Sequence, residues 1–254
     1  MDIKDRLIVV TGAASGIGKA LAHRFHRDGA RLVVCADLNR DGVLGVAQSV
    51  SGPGYQVNVA REEDIAGLIE AVERDFGPID LFCSNAGIGI GGGPEVGNDQ
   101  WQRIWDINVM SHVWAARHLV PRMLARGGGY MLNTASAAGL LSQIGSAPYA
   151  VTKHAAVALG EWLAITYGEQ GLKVSVLCPQ AVRTAMTAGN EQGVASVDGM
   201  LEPEDVAEAC VRTIEAEEFL VLPHPEVRDY MQRKTADYDR WIRGMQRLNR
   251  HYQG

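Results

Sequence analysis

Apolar residues along the chain come in two rhythms. Short runs at 7–10, 31–36, 54–57, 79–84, 129–134, 173–178 and 219–222 are rich in β-branched residues and apolar at most positions. That is the pattern of strands covered on both faces rather than of strands with one face in water. Between them lie longer segments, 16–28, 39–50, 62–76, 99–126, 149–170 and 203–216, with the apolar spacing of helices. The last opens on Pro203, followed by Glu204 and Asp205, residues that suit a helix N-terminus. Strand alternating with helix predicts an α/β fold: a Rossmann-type doubly wound parallel sheet of about seven strands, with helices on both faces. No Pro/Ser linker or internal repeat divides the chain, so residues 1–254 are expected to form one domain. Two segments break the rhythm: 185–202, small and Gly/Ala-rich, which reads as a long mobile loop or lid rather than scaffold, and the tail, 224–254.

Composition narrows the function classes. The chain has 24 Lys and Arg against 30 Asp and Glu, net −6, where a nucleic-acid binder needs a surplus of cations on one face. The charged amino terminus runs straight into a strand pattern, and apolar runs stop well short of the roughly 18 residues of a membrane span. A cytoplasmic protein is expected. Cys35, Cys83, Cys178 and Cys210 are widely spaced with no metal-binding pattern, which predicts buried thiols and no metal site.

Glycine is abundant, 29 of 254 residues, and one cluster carries chemistry. Thr11-Gly12-Ala13-Ala14-Ser15-Gly16-Ile17-Gly18 follows the first strand and opens the first helix. Glycines there let backbone N–H groups approach a pyrophosphate at a helix N-terminus. A nucleoside-triphosphate loop would need Gly at Ala13 and Ser or Thr at Ala20, and both are missing. Asp37 ends the second strand, where a carboxylate accepts hydrogen bonds from an adenosine ribose and repels a 2′-phosphate. NAD is therefore expected over NADP.

Tyr149 and Lys153 stand four apart, on one helix face. A neighbouring ammonium favours the phenolate, so the Tyr149 pKa is expected to fall from its usual ~10, fitting it to exchange a proton with a secondary alcohol. Ser136 lies at the carboxyl end of an apolar strand, facing the crevice where parallel sheets bind ligands.

With these motifs in order, the sequence resembles the short-chain dehydrogenase/reductase family over about 5–222. The Thr11–Gly18 loop, Asp37, Ser84-Asn85-Ala86-Gly87, Asn108, Ser136, Tyr149, Lys153 and Pro179-Gln180-Ala181-Val182-Arg183-Thr184 match its motifs in sequence. The resemblance implies catalysis by Asn108, Ser136, Tyr149 and Lys153. Tyr149 would be the general acid/base and Lys153 would lower its pKa and hold the nicotinamide ribose. Ser136 would bind the substrate oxygen, and Asn108 would hold a water linking Lys153 to solvent. Implied cofactor contacts are Gly12, Ser15, Gly16, Ile17, Gly18, Asp37, Asn58, Val59, Asn85, Ala86, Gly87, Pro179, Val182 and Thr184, with Tyr149 and Lys153.

Three positions depart from the family pattern. Asn58 replaces Asp against the adenine, Ser84 replaces an Asn, and Gln180 replaces a glycine near the nicotinamide. The Gln180 side chain either contacts substrate or points to solvent. Expected pocket walls are Ile88, Ile90, Ala138, Leu140, Leu141, Ile144 and Met186, with lid residues Glu191 and Asp198. None is cationic, so a neutral, largely apolar secondary alcohol or ketone is expected. An NADP-dependent carbonyl reductase and a catalytically silent NAD-binding scaffold are the competing readings. The segment 99–126 shows Trp101, Ile104, Trp105, Val109, Val113 and Leu119, more apolar surface than one sheet face covers. With the resemblance, this implies pairing of the two long helices in a homodimer or homotetramer.

The tail carries seven Lys and Arg against four Asp and Glu. Val227, Met231, Tyr238, Trp241, Met245, Leu248 and Tyr252 form one helical face, and Arg233, Arg240, Arg243, Arg247 and Arg250 the other. Such a helix can lie on an anionic membrane. Gly244 weakens it in isolation, and the rest of the chain is acidic. The tail is therefore expected to dock on protein, over its own substrate crevice or a neighbouring subunit's, with Tyr238 and Trp241 as anchors.

Overall fold

The seven apolar runs form one parallel sheet in the computed structural model, which describes residues 1–253. The strands are β1 (Leu7–Thr11), β2 (Leu32–Asp37), β3 (Gly54–Gln56), β4 (Leu81–Ser84), β5 (Gly129–Thr134), β6 (Leu172–Leu177) and β7 (Leu220–Val221). Their order is β3-β2-β1-β4-β5-β6-β7. In register, Val9 of β1 lies between Val34 and Phe82, and Leu132 of β5 between Cys83 and Ser175. The chain winds outward one way from β1 to β3 and the other way from β4 to β7. The loops at the carboxyl ends of β1 and β4 therefore diverge and leave a crevice.

Helices cover both faces, as strands buried on both sides require. On one side α1 (Gly16–Arg27), α2 (Arg40–Ser49) and α8 (Pro203–Ala216) bury Leu21, Phe25, Val43, Val206 and Ile214 against the sheet. On the other, α3 (Glu62–Phe76), α5 (Ser111–Ala125) and α7 (Ala147–Tyr167) bury Ile65, Leu68, Leu119, Met123 and Leu163. Each such side chain contributes about 1.5–3 kcal/mol when fully buried. Local signals fix the helix starts: Pro203 and a capping box between Glu202 and Asp205 open α8, and the Asn39 side chain accepts from Gly42 N–H at α2.

The structure differs from the periodicity in four places. The segment 99–126 is not one helix: α4 (Asn98–Trp105) runs into a π-helical turn, Asp106–Met110, before α5. Such a turn inserts an extra residue into the helical repeat, which apolar spacing does not reveal. A short α6 (Ala138–Leu141) follows Ser136. Loop 185–202 is tied down, by Ala181 N–H to the Ala195 carbonyl and by a bridge between Val182 and Leu201. The tail is two helices, α9 (Glu226–Ala236) and α10 (Tyr238–Gln253), broken at extended Asp237, whose carboxylate caps α10 at Arg240 N–H.

The apolar face assigned to 99–126 is largely covered from within. Ile104, Val109 and Leu119 are buried, and Trp101, Trp105 and Val113 are partly buried. Of the two long segments, it is α7 that exposes large apolar side chains, at Val151, Trp162 and Ile165. All four cysteines are buried and unpaired.

Candidate active site

A crevice of about 1560 Å³ opens along the carboxyl edge of the sheet. Every catalytic and cofactor-contact residue implied by the sequence lines it except Asn108: Gly12, Ser15, Gly16, Ile17, Gly18, Asp37, Asn58, Val59, Asn85, Ala86, Gly87, Ser136, Tyr149, Lys153, Pro179, Val182 and Thr184. At one end the Gly12–Gly18 loop lines the crevice with backbone packed too closely against its own turn and Ala86 for side chains. Gly12 has φ +68°, and a Cβ there would stand 2.9 Å from Ala86 Cα, while one on Gly18 would collide with the Gly12 carbonyl. The glycine backbone at the start of α1 thus faces open crevice, the geometry that suits a pyrophosphate.

Asp37 is held beside this loop. Its carboxylate accepts from Ala14 N–H at 3.0 Å and from Asn39 N–H at 2.9 Å, which fixes it at the edge of the crevice. Asn58 accepts from Ala60 N–H through its amide oxygen, at 3.1 Å. Thr11, read from the sequence only as part of the loop, is a hub. Its hydroxyl donates to the Cys83 carbonyl and accepts from Asn85 and Ala86 N–H, clamping β1 to the turn after β4. Asn85 extends the clamp, donating to the Thr11 carbonyl and accepting from the Thr134 hydroxyl. Ser84, where the turn lacks an amide, leaves its buried hydroxyl unpartnered.

Farther along, Ser136, Tyr149 and Lys153 converge. Ser146 caps α7, accepting from Tyr149 N–H at 3.3 Å, a start signal missed because the helix begins two residues earlier than its periodicity shows. Lys153 is buried, its Nζ 5.5 Å from the centre of the Tyr149 ring and 3.0 Å from the Thr134 carbonyl, to which it donates. Burial lowers its pKa to about 8. The expected fall in the Tyr149 pKa is not what this environment produces: burial raises it, with the Ser136 hydroxyl acting in the opposite direction. Desolvation of the phenolate outweighs the Ser136 hydrogen bond.

Asn108 stands behind this wall, fully buried in the π turn. Its amide exchanges two bonds with Ile88, accepting from N–H and donating to C=O, each at 2.9 Å, and also donates to Thr152 at 3.3 Å. The side chain expected to hold a water bonds to the backbone of Ile88, which lines the crevice, and to Thr152.

Gln180 lines the crevice and is tied to the lid and the tail rather than turned to solvent. Its amide donates to Asp198 at 2.9 Å, and its backbone N–H donates to His224 Nδ1 at 3.2 Å. Asp198 accepts in turn from the Tyr230 hydroxyl at 2.9 Å. The loop after β6, the lid and the tail are therefore joined in one polar strut.

Pocket walls are Ile88, Ile90, Ala138, Leu141, Ile144 and Met186 as expected, whereas Leu140 packs in the core. The tail covers its own chain's crevice. Trp241 lines it and packs 6.5 Å from the Tyr230 ring, but Tyr238, the other expected anchor, is 57% exposed. The tail also brings Arg233, Arg240 and Arg247 into the lining, so the expectation of a crevice free of such cations fails. Helical periodicity put these arginines opposite the apolar stripe and could not show that the crevice reaches the border between the two faces.

Fold and site together define a nicotinamide-dependent oxidoreductase acting at a CH–OH carbon. Residues 6–195 match the model of the short chain dehydrogenase family, and the chain belongs to that family. It is 36% identical over 252 residues to a 1-deoxy-11-beta-hydroxypentalenate dehydrogenase of Streptomyces exfoliatus, covering 95% of this chain and 91% of the relative. Among solved structures it resembles a short chain dehydrogenase/reductase from Burkholderia phymatum in complex with NAD (TM-score 0.85, 26% identity, 94% and 96% of the two chains). It also resembles L-sorbose reductase from Gluconobacter frateurii, complexed with NADPH and L-sorbose (TM-score 0.78, 28% identity, 87% and 95%). Among the described residues no helix is long and apolar enough to cross a membrane.

Proposed function

We propose that the enzyme moves a hydride between NAD(H) and a secondary alcohol or ketone on a largely apolar skeleton, with Tyr149 as the general acid/base. The convergence of Ser136, Tyr149 and Lys153 on one wall of the crevice carries this reading. The nicotinamide ring, when bound, supplies or accepts the hydride. Ser136 holds the substrate oxygen, and Tyr149 gives it a proton in reduction or takes one in oxidation. Burial keeps Tyr149 protonated at neutral pH, which suits a proton donor. Lys153, at about 8, is mostly the ammonium at pH 7 and can hold a ribose hydroxyl. Asn108 acts by fixing Ile88. The hydroxypentalenate named for the Streptomyces relative supports a hydroxylated carbon skeleton as substrate.

Tyr149→Phe is expected to leave the fold and the Kd for NADH intact while kcat falls by several orders of magnitude. A variant keeping more than about a tenth of kcat would overturn the assignment.

NAD is favoured because Asp37 faces the ribose position and repels a 2′-phosphate; the NADPH complex of the sorbose reductase supports the competing choice. Asp37→Ala should lower kcat/KM for NAD at least ten-fold more than for NADP, and an unchanged ratio of the two would rule out a ribose contact. We further infer a homo-oligomer, built on the exposed apolar residues of α7.

A further inference from the structure

The tail does more than close the crevice. Helix α10 turns one face to it, with Arg240, Trp241, Gly244, Arg247 and Leu248 in the lining. Arg247 lies back along that face, its Nη2 3.8 Å from where a Cβ on Gly244 would stand. From α9, Arg233 sits 5.7 Å over the Tyr230 ring and also lines the crevice. None of these three arginines forms an ion pair among the described residues.

The nearby carboxylates each accept from other donors, Asp37 from Ala14 and Asn39 N–H at the cofactor end of the crevice. Asp198 accepts from Gln180 and Tyr230, Glu191 accepts from Gly189 N–H outside this crevice, and Asp237 caps α10 through one oxygen. The tail also enters from the substrate end, since Val227 and Trp241 pack with Ala137 and Leu141, just after Ser136. A cofactor pyrophosphate would be held at the glycine loop, Gly12–Gly18. Arg233, Arg240 and Arg247 thus share the crevice lining with the apolar side chains Ile88, Leu141 and Ile144, so an apolar molecule with an anionic end would find both its partners there.

We propose that the substrate carries a carboxylate away from its reacting carbon, received by Arg240 and Arg247, with Arg233 beside them. This rests on the reading of the crevice as a secondary-alcohol site, and the test separates the two. Hydroxycyclohexanecarboxylate and a hydroxysteroid carboxylate, each beside its methyl ester, serve as probes of the full-length enzyme. Calorimetric binding to the NADH complex tests the anion site, and turnover with NAD tests the chemistry.

At least one acid should bind ten-fold or more tighter than its ester. That preference should shrink with added salt and collapse in Arg240→Gln/Arg247→Gln, while the Kd for NADH stays within three-fold. Equal binding of acid and ester by the parent enzyme, or a preference that survives the double substitution, would overturn the proposal. So would a ten-fold loss of NADH affinity in the variant, which would assign the arginines to the cofactor. A tight acid preference without Tyr149-dependent turnover would support the anion site and count against the dehydrogenase reading instead.

Discussion

His112 is an imidazole with nowhere to put a charge. It is fully buried on α5, with the Asn133 amide as its polar neighbour and, among the described residues, no charged group to pair with an imidazolium. Burial, then the Lys153 charge, depresses its pKa to about 3 from 6.5. Between those values the unfolded chain binds a proton that the folded chain does not, so stability falls as pH drops through that window. The slope approaches about 1.4 kcal/mol per pH unit. Urea unfolding followed from about pH 7.5 to about pH 5 should show a shallower decline in His112→Gln than in the parent; parallel curves would mean that His112 titrates freely in the fold. The same physics governs Tyr149. Its spacing from Lys153 was legible because the helical period fixes which residues share a face, but the direction of its pKa shift was not, because burial comes from segments distant in sequence.

At the scale of elements, the strut Gln180–Asp198–Tyr230 decides how the lid and α9 sit over the crevice. Asp198→Ala leaves two donors without their acceptor, at about 1–3 kcal/mol each if water cannot replace it. The expected result is faster proteolysis within 185–202 and a several-fold rise in KM for the alcohol, with kcat and the Kd for NADH nearly unchanged. A cleavage rate and KM equal to the parent's would show that the bridge between Val182 and Leu201 suffices to hold the loop. The π turn at Asp106–Met110 is a second device at this scale. Sequence identified Asn108 through its motif, while the extra residue in the helix, which sets Asn108 against Ile88, has no apolar signature.

For the whole molecule, the question is what covers α7. Trp162 is 54% and Ile165 82% exposed on a helix otherwise packed on the sheet, with Val151 exposed toward its start. Burying such a face against a second copy gives an isologous two-fold contact. Trp162→Glu/Ile165→Glu should convert the parent oligomer to a smaller species in sedimentation velocity at micromolar concentration. A parent that already sediments as a monomer would dismiss the interface.

The sequence by itself determined the alternation of strands and helices, the glycine cradle, Asp37 at the end of β2, and the Tyr149–Lys153 pair. Each is a local matter: the period of an element, a turn that needs glycine, or a residue at a strand end. Tertiary structure alone decided which way Gln180 turns, what occupies the Asn108 amide, and that Arg233, Arg240 and Arg247 reach the crevice. Those outcomes depend on which distant segments meet: β6 with the lid and α9, the π turn with Ile88, and the tail with the loop after Ser136. A helix's own period sets which residues share a face, but where that face lands is set by packing across the whole chain.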